Sequence, residues 1–367
     1  MEILIFIAVI VVLIVVHEFG HFIAAKLSGM RVDEFGLGFP PRAIVMAKRG
    51  DTLYTLNWLP FGGFVKIYGE DPSLDKLGMP NSFSSKTRLA QAIVLVAGVT
   101  MNLLFAYVLI TGALITGTPR ALSDDEVAVA RDTQLMVANV LPNSPAARAG
   151  LQQGDTVLSA EDGHYVFSDS NPSKFSEFVA NGNGNTTVTL SILHADGEEE
   201  TLFVRPEKGV ISSDPSRAAL GVEVAPVGVV PLSLGSAVIE GARLTWGATQ
   251  LTAVGLWNFF YGVFTLSADL SQVAGPVGIA GVVGSASMQG FGNLLSIMAI
   301  ISINLALINL IPIPALDGGR LLFVIIESVI RRPIKVSVAN AVNAVGFIFL
   351  ILLMLVVTAN DIFKIIG

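Results

Sequence analysis

ILIFIAVIVVLIVVHEFGH occupies residues 3–21. Ile3 to Val16 is unbroken apolar sequence, and His17, Glu18 and His21 follow it directly. Continued to Ala25, the run is long enough for a helix to cross a hydrocarbon layer, which takes about 20 residues. Ionisable side chains near a span's centre cost roughly 2.5 kcal/mol or more, so they mark function by default. On a helix, positions i and i+4 share a face. His17 and His21 can therefore offer two imidazole nitrogens to one Zn²⁺, with Glu18 beside the open coordination position as a proton carrier. The bland alternative, a chance pentapeptide of satisfied core residues, would leave two His and a Glu in hydrocarbon without partners. The chemistry suggested is hydrolysis within the bilayer.

A cleaved signal peptide is the competing use of such an N-terminus. It needs a basic leader and a small-residue cleavage site, whereas this chain starts Met1-Glu2 and runs through His21 without an Ala-x-Ala site. An uncleaved span over Glu2–Ala25 is the expectation.

Composition agrees with a membrane setting. Of 367 residues, 52% are hydrophobic and only 14% charged, and the mean hydropathy is +0.68; soluble domains carry about one quarter charged residues. The net charge of −7 leaves no basic surface to neutralise phosphates, so a nucleic-acid partner is not expected. With no Cys, there is neither a disulfide framework nor a thiolate ligand.

Three more spans are expected at Ala90–Ile115, Leu294–Ile313 and Ala341–Ala359. Lys and Arg residues crowd the first connection, from Lys26 to Arg88, and the last, at Arg320, Arg331, Arg332 and Lys335. By the positive-inside rule both connections face the cytoplasm. Both termini and the long connection after Thr118 then face outward, and His17–His21 lies in the cytoplasmic half of the bilayer.

Within that long connection, residues near 125–225 are polar, with short alternating runs at Leu135–Leu141, Thr187–Leu193 and Glu200–Val204. Turn signals stand at Asp162-Gly163 and Asp196-Gly197. This is the pattern of a small β-rich domain. Asn143 to Asp155 resembles the segment of bacterial PDZ domains in which a strand passes into a short helix and a tight turn, and Ser173–Ala180 is a second helix candidate beside a peptide groove. Such domains bind an extended peptide as an added strand, commonly by its C-terminus; a domain that only blocks access sterically is the alternative. From Gly235 to Phe264 the chain mixes aromatics with few charges, as a helix lying on the outer membrane surface would, and Gly275-Pro276 then breaks it.

The third metal ligand follows by elimination. The remaining imidazoles, His164 and His194, belong to the outer polar region, and no Cys exists, so a carboxylate is required. Acids in or near apolar stretches are Glu240, Asp269, Asp317, Glu327 and Asp361. Asp317 stands out because Asn309-Leu310-Ile311-Pro312-Ile313-Pro314-Ala315-Leu316-Asp317-Gly318-Gly319 interrupts the third span at the depth of the His pair. Irregular backbone is tolerated there only if buried or lining a cavity. The alternative role for Asp317 is capping the next helix. Asn102, in the second span, is another polar group in hydrocarbon; substrate contact and helix packing both remain open for it.

His17-Glu18-Phe19-Gly20-His21, a PDZ-like insert and the Asn309–Gly318 run, in this order and in apolar sequence, together resemble the site-2 protease family of intramembrane zinc metalloproteases, the bacterial regulator-of-sigma-E-protease type in particular. The resemblance spans nearly the whole chain. It implies that His17, His21 and Asp317 bind zinc, that Glu18 activates water, and that the substrate is a single-span membrane protein cut within its helix, such as an anti-sigma factor or a remnant signal peptide. Asn309 and the segment with Pro312 and Pro314 would help hold the unwound substrate. Glu34–Phe39 and Leu59–Lys66, with Gly62 and Gly63, resemble the family's membrane-dipping β segment, whose edge could pair with that substrate; ordinary cytoplasmic turns are the alternative. The best-known relatives carry two PDZ domains, whereas the space here holds one, although Leu220-Gly221-Val222 resembles the start of a PDZ groove.

The expected fold is thus a polytopic α-helical membrane protein with four transmembrane helices, a cytoplasmic-side membrane-dipping β segment and an inserted PDZ-like domain on the outer side. Its divisions are 1–118, 119–225, 226–292 and 293–367, in the bacterial cytoplasmic membrane. A silent scaffold presenting a PDZ domain and a metal carrier are the rival functions. A general base beside the ligands favours the enzyme.

Overall fold

The computed structural model describes residues 2–366 except 71–78, 124–125, 128, 182–185, 195–196, 212–213, 231, 266 and 268–272. Lys76 of the basic first connection, Asp196 of a turn signal and the candidate acid Asp269 lie outside the described residues. The chain divides into two compact units, Met1–Leu114 with Gly235–Gly367, and Ile115–Leu234.

The first unit opens with helix α1, Glu2–Leu27, followed by strands β1, Val32–Arg49, and β2, Thr52–Ile67, and by helix α2, Arg88–Thr116. Four helices of the described residues are long and apolar enough to cross a membrane: Ile3–Leu27 of α1, α2, and two later ones at Phe291–Leu310 and Val336–Lys364. They cover the four expected spans, with shifted ends. The third stops at Leu310 because Pro312 and Pro314 cannot donate to a helix.

The β segment is more elaborate than two short turns. Residues 34–37 pair with 63–66 on one side and with 53–56 on the other, while 44–49 pair with 52–56. Both strands bend near Phe39–Pro41 and Leu59–Gly62, so the pair makes four antiparallel rungs in the order 63–67, 32–37, 53–57, 44–49. Gly62, at φ +77°, takes a left-handed conformation at one bend. The base of this sheet is anchored by a core of Ala25, Met30, Val32, Ile67 and Val94, which joins the end of α1 to α2.

The second unit holds β3 (Arg120–Ala121), β4 (Arg131–Val140), α3 (Pro145–Arg148), β5 (Thr156–Glu161), β6 (Val166–Phe167), α4 (Pro172–Asn181), β7 (Val188–Leu193), β8 (Glu199–Val204) and β9 (Val222–Val229). The strands form one sheet in the order β3-β9-β4-β5-β7-β8, with β6 on β5. Alternation does the work here. Leu135 and Val137 of β4 and Val188, Leu190 and Ile192 of β7 point into one core, which Phe175 and Val179 of α4 close. The sheet runs past residue 225, because β9 continues to Val229 and pairs with β4 along its length. Leu220-Gly221-Val222 therefore leads into this same sheet and starts no second domain.

The chain then returns to the first unit as α5, Leu234–Thr265, α6, Pro276–Met288, α7, Phe291–Leu310, α8, Asp317–Ile330, and α9, Val336–Ile366. The 32-residue α5 is not among the four candidate spans. It crosses α2 where Gly241 meets Thr111, and the Tyr107 hydroxyl donates to the Val238 carbonyl at 3.3 Å. α6 packs Val283 against Val9 and Leu13 of α1, and α7 packs Ala299 and Ile303 against Ala106 and Leu109 of α2. Asp361 of α9 accepts the Gly275 and Gly278 N–H groups at 3.0 and 2.8 Å, which caps the start of α6.

Candidate metal centre

α1 presents His17 and His21 one turn apart, and α8 begins at Asp317. His17 Nε2 lies 2.9 Å from Asp317 Oδ2, His21 Nε2 lies 3.1 Å from the same oxygen, and the two nitrogens are 3.2 Å apart. Both imidazoles are buried, each 6% exposed. Ligands about 2.1 Å from a tetrahedral ion stand about 3.4 Å from one another. The triangle is slightly tighter than that, so small side-chain movements would open it around an ion. Two imidazoles and a carboxylate are also the donor set of many catalytic zinc sites. Among the described residues this is the single cluster of three or more His, Asp or Glu suited to a metal. Asp317 is the first residue of α8 while Leu316 holds the cap position, so its carboxylate faces the imidazoles and does not cap the helix.

The outer faces of the two rings are also occupied. His21 Nδ1 donates to the Val94 carbonyl at 2.8 Å, and Asn102 Nδ2 lies 3.3 Å from His17 Nδ1. Both partners belong to α2, and Gly98 sits between them at helical spacing. A Cβ at Gly98 would overlap His21 Nε2 and crowd His17, so only glycine lets α2 back onto the pair. Asn102 is fixed from behind, since the Ser302 hydroxyl of α7 donates to its carbonyl at 2.8 Å.

Glu18, next to His17, is gripped by the β segment. The Val65 N–H donates to Glu18 Oε2 at 3.0 Å. Val65 pairs with Phe35 on its other side, so residues 63–67 form an edge that no strand among the described residues pairs on the side facing α1. In an antiparallel strand alternate residues direct both main-chain groups the same way, so Gly63 shares that side with Val65. Gly62 and Gly63 lie against Ile14 and Val15, about one turn before His17.

The connection from α7 to α8 is wedged tightly. Cβ atoms at Gly318 and Gly319 would strike the carbonyls of Leu310, Ile311 and Ile313, and one at Gly346 of α9 would strike the Pro314 carbonyl. Ala315 sits at φ +78°, a conformation that non-glycine residues avoid, and its N–H donates to Asn343 Oδ1 of α9 at 3.3 Å. Arg320 pairs with Glu70, three residues past the end of β2, and Arg88 at the start of α2 pairs with Glu327 at 2.7 Å, so α8 is tied to both neighbours.

Pro312 lines an apolar groove with Trp257, Phe260 and Tyr261 of α5. Pro314 lines another with Val345 and Phe349 of α9. Asn309 is half-buried in the last turn of α7. Of the other candidate acids, Glu327 and Asp361 have the partners described above, and Glu240 lies 3.9 Å from Arg243. His194 is held between Asp155 and Glu200, 2.9 Å from each.

Val65, Val94 and Gly98 are absent from the sequence-derived site. Gly98-x-x-x-Asn102 offered a faint signal, a small residue one turn from a polar one in an apolar helix. Main-chain partners such as the Val65 N–H and the Val94 carbonyl leave no mark in side-chain pattern.

In the second unit, a groove of about 410 Å³ runs between α4 and the start of β9. It is lined by Phe175, Ser176, Val179, Leu220, Val222 and Arg217, among others. β3 pairs with β9 only at Val227 and Gly228, so among the described residues no strand pairs with Val222–Ala225 on that side.

The sequence profile of peptidase family M50 matches residues 5–353. A protein of Clostridium perfringens is 35% identical over 350 residues, covering 95% of each chain, and one of Nostoc is 34% identical over 356 residues, covering 96% of this chain and 93% of the relative. A Mesorhizobium japonicum protein is 30% identical over 378 residues, with 98% and 97% covered. Each of the three carries the name "putative zinc metalloprotease".

Proposed function

The chain belongs to peptidase family M50, and from that premise we propose that it cuts peptide bonds inside the transmembrane helix of single-span membrane proteins. It is a zinc metalloprotease of the site-2 type. The observation that carries the proposal is the meeting of His17, His21 and Asp317, with Glu18 beside them, among helices apolar enough to lie in a bilayer.

His17 Nε2, His21 Nε2 and Asp317 Oδ2 are the proposed ligands, and zinc bound there would supply a Lewis acid for the scissile carbonyl and a water of lowered pKa. Glu18 is the base. With Oε2 tied to the Val65 N–H, its other oxygen is available to take the water's proton and return it to the leaving amine nitrogen. A transmembrane helix hides its peptide bonds in its own hydrogen bonds, so the substrate must be unwound first. The free side of residues 63–67 is suited to pair with the unwound strand, with Gly63 the first main-chain anchor beside Glu18. Asn309, Pro312 and Pro314 would contact the same strand. Gly62 and Gly63, lacking side chains, let this edge close onto Ile14 and Val15 beside Glu18.

The second unit is read as a PDZ-like domain on the outer side of the bacterial inner membrane, both termini on that side and the metal centre toward the cytoplasm. Support comes from the distribution of Lys and Arg and from the groove between α4 and β9, whose open strand and Arg217 suit an extended peptide with a free carboxylate. At the far end of the β segment, away from the core at its base, Ile44, Met46 and Trp58 are exposed, which suits insertion among lipid chains.

The test is to purify the full chain and its Glu18→Gln and Asp317→Asn variants in detergent, measure bound zinc, and incubate each with a tagged single-span protein. The wild type should hold one zinc and cut within the span. Glu18→Gln should keep the zinc and lose cleavage, and Asp317→Asn should lose both. Equal cleavage by Glu18→Gln and wild type would sink the mechanism, and zinc without cleavage across a panel of single-span proteins would favour a metal carrier.

A further inference from the structure

We infer that Asn102 is a positioning residue for His17: its amide can turn to present an acceptor to Nδ1, which places the ring's proton there and frees Nε2 for a metal. The inference rests on the reading that His17, His21 and Asp317 hold zinc.

The two histidines differ in how their outer nitrogens are held. His21 Nδ1 faces the Val94 carbonyl, which can only accept, so the proton sits on Nδ1 and Nε2 is left with a lone pair for a metal. That ring is committed to ligation by a main-chain atom. His17 has no such commitment. Its Nδ1 faces the Asn102 amide, which offers a donor at one end and an acceptor at the other, and the amide is wholly buried.

With Nδ2 toward the ring, as the structure has it, Asn102 donates to Nδ1. The proton of His17 then sits on Nε2 and points at Asp317 Oδ2, 2.9 Å away. This is a self-consistent resting arrangement, but it blocks ligation by Nε2. Asn102 Oδ1 has no hydrogen-bond partner among the described residues. Turning the amide end for end places that unused acceptor against Nδ1, which then carries the proton, and Nε2 is freed to ligate. The exchange trades one unpaired buried amide atom for another, so the amide itself opposes it little. The gain lies at the metal. The Ser302 hydroxyl, fixed on the Asn102 carbonyl, holds the backbone while the amide turns.

A residue that merely filled space between α1, α2 and α7 would not need an acceptor. The discriminating substitutions are therefore Asn102→Asp, which keeps an acceptor at the same place, and Asn102→Leu, which keeps the volume without one. Zinc affinity is measured on the full chain in detergent by competition with a chromogenic chelator. Cobalt substitution reports the ligand field through its visible absorption, and thermal unfolding without metal reports packing.

The tautomer role expects Asn102→Leu to weaken zinc by about ten- to hundredfold, with a changed cobalt spectrum and an unfolding temperature near that of wild type. Asn102→Asp should stay within a few-fold of wild type for zinc. Wild-type affinity in the Leu variant overturns the inference, and so does a loss of zinc in the Asp variant when that variant melts like wild type. If either variant fails to fold, nitrogen-15 shifts of the His17 ring in the zinc-loaded wild type decide instead: a proton on Nδ1 supports the role, and a proton-free Nδ1 overturns it. A wild-type chain that binds no zinc fails the metal assignment itself, a different result from a loaded wild type with indifferent variants.

Discussion

The backbone N–H of Val65 donates to the Glu18 carboxylate across 3.0 Å, so the residue proposed as base is aimed by a strand and not by its own helix. Hydrogen bonds to a charged group are worth roughly 1.5–3 kcal/mol. Val65→Pro removes the donor while leaving His17, His21 and Asp317 untouched. The expected result is an about ten- to hundredfold fall in kcat at unchanged zinc content. Val65→Ala, which keeps the N–H, is the control, and equal cleavage by the Pro and Ala variants would show that the grip on Glu18 is idle.

Gly98 gives a second prediction, in the direction of packing. Its missing side chain is the space that the two imidazoles occupy. Gly98→Ala should lower stability by about 1–3 kcal/mol through overpacking and lower zinc occupancy with it. Thermal unfolding and metal analysis check both; a stable variant with full zinc would mean that α2 can retreat from the pair.

Ala315 carries strain that glycine would relieve. At φ +78° an L-residue is disfavoured by about 1–2 kcal/mol, and part of any gain is offset by glycine's larger freedom in the unfolded chain. Ala315→Gly should therefore raise stability by about 0.5–1 kcal/mol. Ala315→Val should act in reverse and loosen zinc, because Asp317 is only two residues on. If unfolding temperatures do not separate in the order Gly, Ala, Val, the strain does not hold the connection in place.

Local signals carried much of this fold. The four spans were legible as apolar length, and the strands of the second unit as alternation between turn residues. The meeting of His17 and His21 with Asp317 was legible too, because burial cost and the lack of other ligands left few choices. Three things were not. The folding of β1 and β2 into four rungs depends on pairings between residues as far apart as Val32 and Ile67, which no single-strand period encodes. Composition bounded the polar region near 225, whereas β9 runs on to Val229, and only its pairing with β4 ties residues 226–229 to the sheet. The walls of the metal centre at Val65, Val94 and Gly98 act through main chain or through an absent side chain.

His194 supplies a prediction about pH in the second unit. Its ring sits between Glu200 and Asp155, and hydrogen bonds to those carboxylates, Glu200 first, raise its pKa above the ordinary value of about 6.5. A raised folded-state pKa favours the charged ring in the native protein. The stabilisation is therefore fully present below the unfolded pKa and is lost as pH rises through the folded one. Because the ring bridges the starts of β5 and β8, the loss should show first as faster hydrogen exchange, corrected for intrinsic rates, in β7 and β8 of the full chain. Exchange there should accelerate as pH rises above the ordinary imidazole value of about 6.5 in wild type. His194→Gln, which has no charge to lose, should exchange faster at the lower pH and change little across the range. Parallel pH profiles for the two proteins would mean that the carboxylates do not hold the ring in solution.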